Sequence, residues 1–435
     1  MGIAAKCRNF AFWTLDTLKG GVIKKDLKSI QSFYSSSKEK QLKEQRAALT
    51  SLLHSAVTTT EFYKEYSGVK NLEDFPVVDK NTIKANFKAI TSKTLKPEKL
   101  ISVSTSGSTG APFKVYQTPL KKKRNTADTL YFAKLAGFTI GQKLLYLRFW
   151  AAYYKKPKLL AYLQNTEQLD VSKLTDDYIK KLIVNLQKDS SAKGWLGYPS
   201  GFETICKYLD KVNAEPLDCN IQSTIAIAEG LSPTVQSKME YYFKAPTVSR
   251  YSNVENGILA QQLPNQTYFT INWASYKIEI LDLDKDIPAK KGEIGRIVVT
   301  DLYNTATHMI RYDTGDVGSF YDDNKDALPM LKSVEGRKMD VLYKTNGDAL
   351  NPFTMHAYVY DFHEVEQLQF IQTAEKEYQI KINTTTNFLR EDELVALFKN
   401  DIGTDATIQV AYVHEIPSLK SGKRKIAINL YKKSN

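Results

Sequence analysis

Five short stretches of this chain carry side chains whose types and spacing suit phosphate and nucleotide chemistry. The first is Ser104-Thr105-Ser106-Gly107-Ser108-Thr109-Gly110. Two glycines and five hydroxyls cannot build a core. They offer hydroxyl donors, and backbone N–H groups that glycine's permissive angles let converge on an anion. Composition alone would equally describe a flexible linker, but strand-like runs at 100–103 and 113–116 argue for an ordered turn. The second is Arg250-Tyr251-Ser252-Asn253-Val254-Glu255, where an aromatic precedes a carboxylate by four residues. Tyr251 can lie against a purine face, and Glu255 can hold a magnesium ion, although such pairs are commonly plain surface. The third runs from Met309 to Asp316. A carboxylate after a Thr-Gly turn can accept bonds from two ribose hydroxyls, which makes Asp316 the candidate; the same residues also suit an ordinary β-turn. The fourth, Gly336-Arg337, offers a guanidinium fork for ribose or phosphate. The fifth, from Ile416 to Lys423, is a Pro- and Gly-shaped loop that presents the Lys423 ammonium to an anionic centre.

The elements that must position these residues read as α/β. The first hundred residues are mainly helical, with Lys- and Gln-rich faces to about residue 67. From residue 100 onward, strands at 143–149 and 224–228 alternate with helices at 176–187, 200–211 and 234–243, which implies a largely parallel sheet. The chain is then β-rich, with strands expected at 268–273, 277–282, 295–300 and 309–312. Beyond Gly336 a small α+β unit is expected, with strands at 379–383 and 409–413 and a helix at 391–398. Asp282, Asp284, Asp286 and Glu293 imitate a calcium loop, but Ile287 stands where glycine is needed and Pro288 follows, so a solvated turn is expected.

Length and composition narrow the function classes. A chain of 435 residues implies two or more domains. Three widely spaced cysteines and five histidines make neither a disulfide framework nor a zinc site, which points to a cytoplasmic protein. The net charge is +12, yet the lysines are spread along the chain and no nucleic-acid motif accompanies them. The run Lys121-Lys122-Lys123-Arg124 reads as a solvated helix face. The positive surplus suits anionic small substrates or a membrane surface. Residues 10–23 are too short and interrupted to span a bilayer, and no signal-peptide pattern follows them. They read as an amphipathic helix packed on the body, with a peripheral membrane contact as the alternative.

In their order and separation the five stretches resemble the motifs of the adenylate-forming superfamily of acyl-CoA synthetases and related ligases. Ser106 to Pro112 is similar to its phosphate loop, Tyr251 to Glu255 to its aromatic-to-Glu motif, and Arg311 to Asp316 to its ribose-binding motif. Gly336-Arg337 resembles its hinge, and Pro417 to Lys423 its C-terminal Gly-Lys loop. The resemblance is greatest to the phenylacetate-CoA ligase and CapK branch, through Gly197-Tyr198-Pro199-Ser200, Glu229-Gly230 and the run from Val299 to Leu302 continuing to Ile310-Arg311-Tyr312.

That resemblance implies a large adenylation domain at 1–335, with a helical preface to about residue 95, and a small mobile lid at 336–435. It implies ATP and Mg²⁺ as cofactors, a carboxylic acid as substrate, and a thiol (coenzyme A), amine or hydroxyl as acceptor. The acceptor group could be carried by a sugar or lipid-linked saccharide in surface polysaccharide synthesis. Ser106, Gly107, Ser108, Thr109 and Gly110 would hold the β,γ-phosphates, with Glu229, Ser252 and Asn253 nearby. Glu255 would bind Mg²⁺, Tyr251 adenine, and Asp316 with Arg337 the ribose, while Lys423 would stabilise charge on the reacting carboxylate and α-phosphate. Trp150, Tyr153, Tyr198, Pro199 and Ala228 would line the acid pocket. Two departures stand out: Phe113 occupies a place where many members have lysine, and Met339 the usual charged pivot of the hinge. They favour a rival reading, a nucleotide-binding partner protein without ligase activity.

Overall fold

The computed structural model describes residues 2–105, 113–150, 157–321, 327–337, 341–350, 362, 364–384, 387–417 and 427–431. The preface is helical: α1 (Ile3–Leu18), α2 (Val22–Tyr34), α3 (Lys38–Thr59), α4 (Lys80–Ala85) and α5 (Phe87–Ile90). Gly20 and Gly21, both at positive φ, break the chain between α1 and α2. Ser37 caps α3 and Asp79 caps α4, each side chain accepting a backbone N–H of the first turn.

A hairpin follows, β1 (Ile101–Thr105) with β2 (Phe113–Gln117). Its register pairs Thr105 with Phe113, so the two ends of the Ser/Gly loop are held side by side. The loop itself, 106–112, lies outside the described residues.

The main sheet has eleven strands. Its parallel half is made by α6 (Pro119–Leu135), β3 (Lys143–Arg148), α7 (Lys158–Leu163), β4 (Thr166–Asp170), α8 (Asp176–Lys188), β5 (Lys193–Gly197), α9 (Pro199–Lys211), β6 (Ile221–Ile227), α10 (Pro233–Phe243) and β7 (Thr247–Asn253). Its antiparallel half is β8 (Gly257–Gln262), β9 (Phe269–Ile271), β10 (Tyr276–Leu281), β11 (Gly295–Asp301), β12 (Tyr312–Tyr321) and β13 (Met330–Arg337). The spatial order is β10-β11-β12-β13-β9-β8-β7-β6-β5-β3-β4. Strand β7 is the turning point, parallel to β6 on one side and antiparallel to β8 on the other. Such changes of strand order and direction open crevices at strand ends. Trp195 lies in the core under α8, α9 and α10, edge-on to Phe202 and Phe243.

The last part of the chain forms a separate four-stranded sheet, ordered β18-β17-β16-β19. It follows a short ladder of β14 (Leu342–Tyr343) with β15 (Ala349–Leu350) and comprises β16 (Val365–Gln372), β17 (Glu377–Thr384), β18 (Thr407–Tyr412) and β19 (Ala427–Asn429), with the helix Glu391–Ile402. One apolar cluster, drawn wholly from residues between Leu342 and Ala427, packs it. The architecture is α/β with a large mixed sheet and a smaller α+β sheet, as expected.

Two local expectations are corrected. The strand expected at 309–312 begins only at Tyr312, because Arg311 takes the left-handed conformation (φ 49°) and ends extended pairing there. The run Lys121–Arg124 is not a uniformly solvated face. Lys121 and Arg124 are buried, since they share one side of α6 with Asp128 at helical spacing. Lys121 Nζ lies 2.8 Å from Asp301 and 3.0 Å from the Tyr276 hydroxyl. Arg124 donates to Ser275 Oγ and to the Ala274 carbonyl.

Candidate active site

The site is built where β7 ends, where β12 begins, and where α4 comes up beside them. Glu255 stands in the turn from β7 to β8, and its side chain is buried. Its backbone carbonyl accepts from Gln117 Nε2 at 2.8 Å, which ties the turn to the end of β2. The Tyr312 hydroxyl donates to Glu255 Oε1 at 2.7 Å, and Lys80 Nζ, on the first residue of α4, lies 3.4 Å from the same oxygen. Oε1 takes both contacts. Burial, then the negative charge of Glu255, pushes the Tyr312 phenol well above its ordinary range, so it stays a donor.

Phe113 explains why Lys80 matters. It stacks on Tyr312, with ring centroids 6.1 Å apart and planes 10° from parallel. Lys80 Nζ lies 5.8 Å from the Phe113 ring centroid. The aromatic therefore packs on Tyr312, the partner of the carboxylate, while the cation arrives from the preface. No spacing in the sequence links Lys80 to Glu255; only the fold brings them together.

The second part of the site is Tyr251 with Asp316. The Tyr251 hydroxyl is 2.9 Å from Asp316 Oδ2 and 3.2 Å from Thr314 Oγ1. Burial, and then the Asp316 charge, raises the Tyr251 phenol well above its ordinary range. Gly315, at φ 78°, makes the turn that puts Asp316 there, and Asp313 Oδ1 accepts the Gly315 N–H at 2.8 Å. Across the ladder, Arg337 is the register partner of Asp316, although the Arg337 side chain is outside what is described.

Beside them, Asn253 Oδ1 accepts the Asn256 N–H and shapes the turn, while Ser252 pairs with Ile258. Asn253 Nδ2 and both polar side-chain atoms of Asn256 are buried and have no partner among the described residues. Buried amides without partners mark a place where polar atoms from elsewhere are expected. Among the described residues no cluster of three metal-type ligands exists, so a metal ion at Glu255 would rest on few protein ligands. That suits Mg²⁺, which binds through one or two carboxylates together with substrate phosphates and water.

The remaining candidates separate from this group. Glu229 accepts from the Ser200 N–H at 3.0 Å, at the start of α9, where Tyr198 is the cap and Pro199 the first residue. Ala228, at φ 69°, holds a strained left-handed turn at the end of β6. Trp150 is buried, and its indole N–H donates to the Leu169 carbonyl at 2.9 Å. Ser106, Gly107, Ser108, Thr109, Gly110, Tyr153, Met339 and Lys423 lie outside the described residues. Among the described residues, no helix is long and apolar enough to cross a membrane.

Arg311 is the bolt behind the site. Its guanidinium bonds Glu279 and the carbonyls of Glu73 and Phe75. Val78 donates to the Arg311 carbonyl, and Asp313 N–H returns to the Val78 carbonyl. The preface is thereby stitched to the strand that carries Tyr312 and Asp316.

With this sheet topology the molecule has the fold of the adenylate-forming ligases. The crystal structure of 2-hydroxyisobutyryl-CoA ligase in the postadenylation state, in complex with R3-HIB-AMP, matches with a TM-score of 0.67 at 15% identity, covering 89% of each chain. The amide bond synthetase McbA from Marinactinospora thermotolerans matches at 0.55 and 14% identity, over 75% of this chain and 67% of that one. Within that fold the chain is similar to CapK proteins. Residues 342–430 match the CapK C-terminal domain, and the chain is 26% identical over 408 residues to Protein CapK of Staphylococcus aureus, covering 85% of each.

Proposed function

We propose that this protein is an ATP-dependent, AMP-forming carboxylate ligase. It makes an acyl-adenylate and passes the acyl group to an amine or hydroxyl acceptor, in surface polysaccharide synthesis. The observation that carries the reading is the meeting of Glu255, Tyr251 and Asp316 at the turning point of the sheet. In this reading Mg²⁺ held at Glu255 neutralises phosphate charge, and Asp316 accepts from ribose hydroxyls. Tyr251 fixes the Asp316 carboxylate and closes the adenine end. Lys80 balances Glu255 and supplies the cation that Phe113 does not. The chemistry needs charge neutralisation more than proton transfer, because the acid is already ionised near neutral pH. Residues 1–335 form the adenylation domain, and 336–435 a lid that brings Lys423 to the reacting centre.

The test is acid-dependent exchange of labelled pyrophosphate into ATP across a panel of carboxylic acids. Glu255→Gln should lower exchange by about a hundredfold or more. Full exchange in that variant would remove Glu255 from the metal role, and binding of MgATP with no exchange for any acid would favour the nucleotide-binding partner protein. A second reading, a CoA ligase, is supported by the match to a CoA ligase over 89% of the chain. Formation of an acyl thioester on addition of coenzyme A, without transfer to amines or hydroxyls, would select it.

A further inference from the structure

Helix α1 is apolar on two sides. One side touches the body: Phe12 and Trp13 are half-buried there, and the Ala5 backbone presses on Gly141, where a Cβ would come within 2.2 Å of the Ala5 carbonyl oxygen. Asn9 Nδ2 donates to the Ile140 carbonyl at 3.0 Å. The opposite side is apolar as well, but lies in solvent. Ile3 is 82% exposed, Phe10 74%, Leu15 55% and Leu18 79%. At 3.6 residues per turn these residues, with exposed Cys7, fall on one face of the helix. A second exposed apolar helix lies at the same turn. Leu159, Tyr162 and Leu163 of α7 are exposed, and Asn165, just after it, donates to the Gly141 carbonyl.

The charges around this face have one sign. Lys6 and Arg8 flank it on α1, Lys19 follows at its end, and Lys24 and Lys25 open α2. Lys123 Nζ lies 3.3 Å from the Lys19 carbonyl. The single acid of α1, Asp16, is buried and spent on the Ile23 and Lys24 N–H groups. The nearby Asp26 lies 3.9 Å from Arg124. An apolar strip fringed by lysines is the pattern of a helix lying in the headgroup region of an anionic bilayer. A second copy of the same face would set one cationic fringe against another. We infer that α1, with α7 beside it, docks this protein on the surface of a membrane containing anionic lipid.

The experiment is flotation of the full chain with vesicles of phosphatidylcholine, with and without phosphatidylglycerol, at low and high salt. Binding is expected to the anionic vesicles and to weaken with salt. The double variant Phe10→Glu, Leu18→Glu should lower it by about a hundredfold, roughly tenfold for each apolar side chain replaced. Its thermal midpoint should stay that of the parent, because both side chains are already in water. No flotation at low salt would overturn the inference, and so would equal flotation of the double variant. A lipid-free dimer that the double variant abolishes would also overturn it, by assigning the face to a second copy.

Discussion

Two lysine–carboxylate pairs in this protein have similar geometry and differ in every consequence. Lys121 and Asp301 are both fully buried, 2.8 Å apart, with Tyr276 and the Arg124 group around them. Lys80 and Glu255 are 3.4 Å apart; the carboxylate is sealed but the lysine side chain is 30% exposed. The first pair is closed. Its charges compensate each other, and burial still biases Asp301 toward the neutral form, with Lys121 opposing. The second is open on one side, so on the proposed function Lys80 can trade its partner for another anion while Glu255 takes a metal. One pair fixes α6 against β11; the other is available to a ligand.

Breaking the closed pair should have the largest effect. Lys121→Met leaves Asp301 buried and uncompensated, and urea unfolding should show a loss of about 3–5 kcal/mol. A loss below about 1 kcal/mol, the range of an exposed pair, would mean that this one is not sealed as described.

The preface offers a related contact with no charge in it, His308 against Ser55 (Nε2 to Oγ, 3.0 Å). Burial lowers the His308 pKa to about 4. Because the folded form resists protonation and the unfolded chain does not, stability is intact above about pH 6.5 and falls as the pH drops toward 4. The expected loss reaches about 3 kcal/mol. Thermal midpoints measured on the two sides of the unfolded-state pKa, at about pH 8 and about pH 5, should therefore differ, and His308→Gln should flatten the difference. An unchanged slope would assign the acid sensitivity elsewhere.

The smallest effect on folding should come from the open pair. Lys80→Met is expected to destabilise less than Lys121→Met, because the lysine is part-exposed and Tyr312 still donates to Glu255, while lowering pyrophosphate exchange by about tenfold to a hundredfold. Partial rescue by Lys80→Arg would support a charge role. Wild-type exchange in Lys80→Met, or a loss of stability matching that of Lys121→Met, would erase the distinction between the pairs.

Much of this arrangement is legible in the sequence, for identifiable reasons. The helices and strands of the parallel half follow from apolar periodicity, and β6, α8, α9 and α10 lie within a few residues of expectation. Tyr251, Glu255 and Asp316 are marked by local spacing, and the fold brings them together. Lys80 cannot be read, because its value depends on where α4 lands against a turn far along the chain. Burial of Lys121 and Arg124 is readable in principle from their helical spacing with Asp128, but four consecutive cations suggest solvent. The start of β12 escapes the sequence because Arg311 takes a left-handed angle, held by the anchorage of its guanidinium to Glu279, Glu73 and Phe75.

The stitching of Val78 to Arg311 and Asp313 also bears on how such proteins can be recombined. The preface shares one core with Met309, Ile310 and Tyr312, and it delivers Lys80 to the carboxylate. A chimera that took the first hundred residues from a relative would thus inherit a foreign charge beside its own Glu255. Grafts at the end of the preface should be evaluated as changes to catalysis. On the proposed division of the chain, the natural seam for swapping parts lies much later, near Gly336.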